Sequence, residues 1–273
     1  MTNTDRTSKN HPSTVAPNLA PNATRFDIDL RAARVAFGGV DIFHDLDLSL
    51  PAGSFTCLLG PSGVGKSTLL RYLADLVEGD VSGNITCSDG IALKGRIAYM
   101  AQQDLLLPWR TVRENVELGA ALRGDRPDHA KADRLIAQVG LTDAAQLRPA
   151  ALSGGMKQRV ALARTLMEDR PVVLMDEPFS ALDPVNRLRL QELAAQVLRG
   201  KTVLLVTHDP LEALRLGDVV HVLRGSPARL QHPITPSGTS PRDITDPDIL
   251  RQQAELLRQL GANETSATLL EDA

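Results

Sequence analysis

Lys66 and Ser67 close the run Gly60-Pro61-Ser62-Gly63-Val64-Gly65-Lys66-Ser67-Thr68. The spacing is that of a phosphate cradle, or P-loop. Glycines let the backbone turn tightly and bring N–H groups against phosphate oxygens. A lysine at this place reaches the β- and γ-phosphates as a point charge, and the serine hydroxyl ligates Mg²⁺. Much later in the chain, Val172-Val173-Leu174-Met175 is followed by Asp176 and Glu177. An apolar run ending in two carboxylates suits a divalent cation held through the first. The second is then placed to orient or deprotonate an attacking water. His208 follows a further apolar run, Thr202 to Val206. It stands at the strand end where α/β folds bind ligands, within reach of a γ-phosphate. Any one of these is an ordinary feature: a glycine turn, an acidic turn, a lone histidine. In this order in one chain they point to binding and hydrolysis of a nucleoside triphosphate.

Two further sets are less self-explanatory. Ser153, Gly154 and Gly155 lie in Leu152-Ser153-Gly154-Gly155-Met156-Lys157-Gln158, ahead of the helical run Val160, Leu162, Ala163, Leu166, Met167. A glycine-containing helix start is an anion site by geometry. Because the P-loop already holds the phosphates, such a site makes sense if it faces the nucleotide of another copy. The plainer alternative is an N-capped helix. Ser180-Ala181-Leu182-Asp183 precedes Pro184 at a helix start. Phe37, followed by Gly38 and Gly39, either stacks on adenine or packs in the core at a strand end. The residues alone leave both open.

The elements that must carry these groups are legible from periodicity. Phe55 to Leu59 reads as a buried strand, and Lys66 to Val77 as a helix with Leu69, Leu70, Leu73, Leu76 and Val77 on its apolar side. Phe26, Ile28 and Leu30 alternate, as do Leu46, Leu48 and Leu50, predicting antiparallel strands. Glu78 to Gly90 is polar and turn-rich, and Arg96 to Ala101 is a strand. Thr111 with Glu114 forms a capping box that opens a helix running through Asn115 to Leu122. A second helix spans Asp128 to Val139. Leu105, Leu106, Leu107 and Trp109 read as the core of this helical insert, since large apolar residues are mostly buried. An apolar groove for a partner helix is the alternative. Leu188 to Leu198 is helical, and Thr202 to Val206 and Val219 to Leu223 are strands. Gly225 to Asp248 is loop-like. Ile249 to Leu260 is a helix with Leu250, Leu256, Leu257 and Leu260 on one face, stopped by Gly261.

The chain has 273 residues, enough for one large α/β domain with tails. Its net charge of −3 argues against a nucleic-acid partner. No apolar run approaches bilayer length and the polar N-terminus is no signal peptide, so a cytosolic chain is expected, reaching a membrane only through a partner. Residues 1–24, rich in Asn, Thr, Ser and Pro, read as a disordered tail, and Asn263 to Ala273 as a frayed one. Cys57 and Cys87 have no metal or redox spacing, and Cys57 is expected to be a buried thiol.

Together the P-loop, Leu152–Gln158, Val172–Glu177, Ser180–Asp183 and His208 resemble the ATP-binding subunit of an ABC transporter. The resemblance runs from Phe26 to Arg224 and rests most on the Leu-Ser-Gly-Gly-Met-Lys-Gln signature. It implies an α/β fold: a P-loop NTPase core with an antiparallel β subdomain and an inserted helical subdomain spanning about residues 103–168, within a domain of residues 25–224. Residues 225–273 are then a C-terminal extension with one helix. It implies ATP and Mg²⁺ as ligands. Phe37 is similar to the adenine-stacking aromatic. Gln102, with Gln103 one register away, matches the glutamine that senses Mg²⁺, attacking water and the membrane subunit. Ser153, Gly154 and Gly155 match the signature that caps the γ-phosphate on the opposite subunit, Asp183 the aspartate at the dimer interface, and His208 the switch histidine. The implied partners are a second copy, transmembrane permease subunits and, indirectly, a periplasmic or lipid-anchored solute-binding protein. The place is the cytoplasmic face of the membrane. On this resemblance Leu105–Trp109 belongs to the docking groove. Gln102 to Trp109 resembles the nitrate, sulfonate and taurine import branch, and Met100-Ala101-Gln102-Gln103 the subunits for hydroxymethylpyrimidine. A soluble ABC ATPase acting on nucleic acid or ribosomes is the alternative. It usually carries paired nucleotide domains, coiled-coil insertions or basic surfaces. A nucleotide-binding scaffold without turnover is a third, disfavoured by Glu177 and His208.

Overall fold

Alternating apolar residues at the start of the described chain make a hairpin. The computed structural model describes residues 25–261; the two expected tails, 1–24 and 263–273, lie outside them. β1 (Ile28–Phe37) and β2 (Val40–Leu50) turn at Gly38 and Gly39, both at positive φ, and pair Ile28 with Leu50 and Leu30 with Leu48. β3 (Phe55–Leu59) leads into α1 (Lys66–Leu73), followed by β4 (Asp80–Cys87) and β5 (Ile97–Met100). Then come α2 (Val112–Val116), α3 (Leu118–Arg123), α4 (His129–Gln138) and α5 (Gly154–Met167). β6 (Val172–Asp176), α6 (Pro184–Val197), β7 (Thr202–Thr207), α7 (Pro210–Leu216) and β8 (Val219–Arg224) complete the centre. β9 (Arg229–Leu230) and α8 (Pro247–Gly261) close the described chain.

Two sheets result, one in the order β2-β1-β4 and one in the order β5-β6-β7-β3-β8-β9. The first is antiparallel; the second is parallel as far as β8. β3, β6 and β7 are buried at every position, as a sheet covered on both faces requires. Alternate residues serve different cores. Leu58, Leu174 and Leu204 face α1 and the antiparallel sheet, whereas Cys57, Met175 and Leu205 face the helices on the other side. The helical insert packs Val112, Val116, Ile136 and Val160 into that second core. Cys57 is fully buried.

Several elements differ from expectation. The turn-rich stretch Glu78 to Gly90 contains β4, an exposed edge strand whose polar residues carry no apolar alternation. Gly83, at φ 115° in its middle, sits where a Cβ would lie 2.7 Å from the Ala33 Cα. The first helix stops at Leu73 because Asp75 turns to φ 59°, so Leu76 is exposed rather than apolar-face. The expected helix through Leu122 breaks into α2 and α3 at Glu117. α7 was not anticipated. On α8 the buried residues are Ile249 and Leu256, one heptad apart, while Leu250 and Leu257 are exposed. Trp109 is 66% exposed, which overturns its reading as core of the insert.

Candidate functional site

The P-loop is shaped by what cannot fit there. A Cβ on Gly60 would come within 2.5 Å of the Leu223 carbonyl oxygen, and one on Gly65, at φ 110°, within 2.7 Å of Ile42 Cγ2. Helices α2, α4, α5, α6 and α7 begin with a side-chain cap, from Thr111, Asp128, Ser153, Asp183 and Asp209. α1 begins at Gly65 with none, which leaves its first amides and its positive end to an anion. Lys66 is buried, and its Nζ donates to the carbonyls of Gly60 and Pro61, both at 2.8 Å. Burial pulls its pKa down; Glu177 and Asp176 oppose that shift.

Asp176, at the end of β6, is buried, and its Oδ1 accepts no hydrogen bond. Burial raises its pKa, countered by the Ser67 hydroxyl beside it. An unsatisfied buried carboxylate oxygen next to a serine hydroxyl is a donor set that suits a hard divalent cation.

Glu177 is the point where the separated motifs meet. Its backbone is left-handed, at φ 48°, an uncommon and strained conformation for a glutamate. Its N–H donates to the Val206 carbonyl at 2.9 Å, which ties the turn to β7. Its side chain is only 13% exposed, with Oε1 3.1 Å from His208 Nδ1 and Oε2 accepting from Gln102 Nε2 at 3.2 Å. Gln103 makes no such bond among the described residues. The Glu177 carbonyl accepts from Gln158 Nε2 at 2.9 Å, and Gln158 Oε1 accepts from Ala181 N at 2.9 Å. Gln158 therefore ties α5 to the turn on either side of Ser180. Gln158 closes the Leu152–Gln158 signature, yet nothing in its spacing shows that the chain folds back onto Glu177.

Other predicted residues make no hydrogen bond to this cluster. Ser153 Oγ accepts from Met156 N at 3.2 Å; Ser153 and Gly154 are exposed and make no hydrogen bond to the P-loop or Glu177. A Cβ on Gly154 would meet nothing within 4 Å. Asp183 is exposed and caps α6 through Asn186 N at 3.0 Å. Phe37 is 44% exposed, its ring lying close over Gly79, so it is not the core residue of the second reading.

A cleft of about 430 Å³ runs beside Gln102, lined by Gln103, Leu105, Gly154, Gln158 and Ala161. Arg164 donates to the carbonyls of Asp104 at 2.6 Å and Leu105 at 2.9 Å, fastening the cleft's loop to α5. Asn115, fully buried, accepts from Leu107 N at 2.8 Å and donates to the Leu107 and Arg110 carbonyls at 3.2 Å. The loop that displays Trp109 is thus pinned at both ends.

The family model described as ABC transporter matches residues 43–180. The chain belongs to the ABC transporter family. As the family's ATP-binding subunit it is an ATPase that powers transport. A Haemophilus influenzae protein described as an uncharacterized ABC transporter ATP-binding protein is 44% identical over 84% of this chain and 97% of its own length. An aliphatic sulfonates import ATP-binding protein of Pseudomonas syringae pv. syringae is 43% identical over 85% of this chain and 95% of its own. Among solved structures, a dimeric ATP-binding cassette in a post-hydrolysis state, bound to ADP and phosphate, is similar. It matches with a TM-score of 0.68 and 28% identity over 78% of this chain and all of that one. The ABC ATPase fold expected from the motifs is therefore the fold found. None of the described helices is long and apolar enough to cross a membrane.

Proposed function

We propose that this ABC ATPase drives an importer as one of two copies that close head-to-tail over ATP. The observation that carries this reading is the division of the site. Lys66, Asp176, Glu177, Gln102 and His208 converge within one chain, while Ser153 and Gly154 are exposed and make no bond to them. On this reading residues 25–224 are the ATPase domain, with the helical part at about 103–168 and an extension from 225 on.

Each residue has a task that its surroundings support. Phe37 offers a ring face to adenine. The P-loop amides of Gly60 to Thr68 surround the phosphates, and Lys66 releases its two carbonyls to reach them. Ser67 and Asp176 would hold Mg²⁺, with Gln102 beside it; the cation would neutralise charge on the phosphate being transferred. Glu177 accepts the proton of the attacking water, and the Gln102 and His208 contacts orient its two oxygens. In the second copy Ser153, Gly154 and Gly155 cap the γ-phosphate, and Asp183 lies at the interface. ATP bridging both copies favours the closed dimer, and hydrolysis removes that bridge.

The exposed Leu105, which lines the Gln102 cleft, and the exposed Trp109 in the same loop fit a permease helix, which would place the protein at the cytoplasmic face of the membrane. Several relatives are aliphatic sulfonates import proteins, which favours a sulfonate-type solute chosen by partner chains. The decisive experiment is Glu177→Gln. ATP binding is retained, hydrolysis falls at least about a hundredfold, and an ATP-dependent dimer accumulates on size-exclusion chromatography. A monomer with undiminished turnover overturns the reading. Uptake of a labelled alkanesulfonate by cells with and without the gene tests the solute.

A further inference from the structure

Helix α7 begins two residues after His208 and spans only Pro210–Leu216. So short a helix is marginal on its own backbone bonds, and the partners of its last four carbonyls matter. Ala213 O accepts from Gly217 N at 2.8 Å. The other three are met by the C-terminal extension. Leu214 O accepts from Arg242 Nη1 at 3.0 Å, Arg215 O from Arg242 N at 2.9 Å, and Leu216 O from Ser240 Oγ at 2.8 Å.

Arg242 makes further bonds to backbone carbonyls, and its own carbonyl accepts from the Arg215 guanidinium. Its Nη1 also donates to Gly217 O at 2.8 Å; Nε donates to Ser237 O at 2.6 Å, and Nη2 to Pro236 O at 2.9 Å and Gly238 O at 3.0 Å. Every N–H of the guanidinium is thereby occupied by a backbone carbonyl. The residue is 6% exposed, and a buried cation at a helix C-terminus also opposes the helix dipole. Burial pulls its pKa down, with Asp218 opposing. At its other end α7 is capped by Asp209, whose Oδ1 accepts from Leu211 N at 2.9 Å. Along its length it is tied to α6 by Arg187–Asp209 at 3.5 Å, Gln191–Glu212 at 3.2 Å and Glu192–Arg215 at 3.2 Å.

We propose that Arg242 is a positioning residue for hydrolysis: by capping α7 from the C-terminal extension it holds His208 against Glu177. The proposal rests on the role of His208 given above. The physical logic is leverage. His208 directly precedes the α7 cap, so the tilt of α7 sets where the imidazole points.

The test uses the full chain and compares Arg242→Lys, Ser240→Ala and His208→Ala. It reads kcat and KM for ATP, and the His208 ring signal by NMR. A lysine has one nitrogen and cannot serve both the helix end and the loop. Arg242→Lys is expected to lower kcat about tenfold with KM changed less than about twofold, and to move or broaden the His208 signal. Ser240→Ala, which removes only the Leu216 partner, shifts both readouts the same way by less. If Arg242→Lys does not fold, Ser240→Ala decides. Wild-type kcat and an unmoved His208 signal in folded variants overturn the brace, even if the melting temperature falls. Wild-type kcat in His208→Ala overturns the role of His208, and the brace with it.

Discussion

At the scale of single residues, two buried charges have measurable consequences. On the proposed reading, Lys66 supplies the main side-chain charge toward the phosphates. Lys66→Ala is expected to weaken ATP binding about ten- to a hundredfold, the worth of one hydrogen bond to a charged group, as read by titration calorimetry. Glu212 on α7 is almost fully buried, with its Oε1 unpartnered. Burial pushes its pKa from an ordinary 4.5 up to about 7; Asp209 adds to the rise, and Arg187 partly offsets it. The folded protein keeps a proton that the unfolded chain releases. The stabilisation is complete below the unfolded value, near 4.5, and is lost as pH rises through about 7. Its size is about 3 kcal/mol. Glu212→Gln stays neutral and should flatten that part of the pH dependence. Urea unfolding of the two proteins at about pH 5 and about pH 8 checks it. An equal difference at both values contradicts the assignment.

At the scale of elements, what the sequence discloses depends on whether the stabilising partner is local. The Thr111–Glu114 capping box is four consecutive residues, and it is present: Thr111 N donates to Glu114 Oε2 at 2.7 Å and Glu114 N to Thr111 Oγ1 at 3.2 Å. Thr111→Ala is expected to cost about 1 kcal/mol in thermal or urea unfolding. The runs of β3, β6 and β7 are equally plain, because strands buried on both faces are apolar throughout. β4 escapes notice because an exposed edge strand needs no apolar alternation. α7 escapes because the groups that complete it, Ser240 and Arg242, lie beyond the next strand. Gln158 is hidden for the same reason: its partners Glu177 and Ala181 lie across a helix and a strand. Trp109 misled the burial rule because Asn115, an inconspicuous helix residue, holds its loop outward.

At the scale of the whole molecule, the exposed Trp109 belongs to a surface beyond the nucleotide site. Trp109→Ala is expected to leave the ATPase activity of the isolated protein near normal while reducing co-purification with its membrane subunits. Loss of folding in this variant would mean the side chain supports the insert after all. The cap on α7 also has a bearing on how the molecule is made. A chain leaves the ribosome amino end first. When translation has passed Arg224, the five mutually parallel strands of the six-stranded sheet have been synthesised. The carbonyls of Leu214, Arg215 and Leu216 still await Ser240 and Arg242. The helix that follows His208 is therefore among the last parts of the nascent protein to settle.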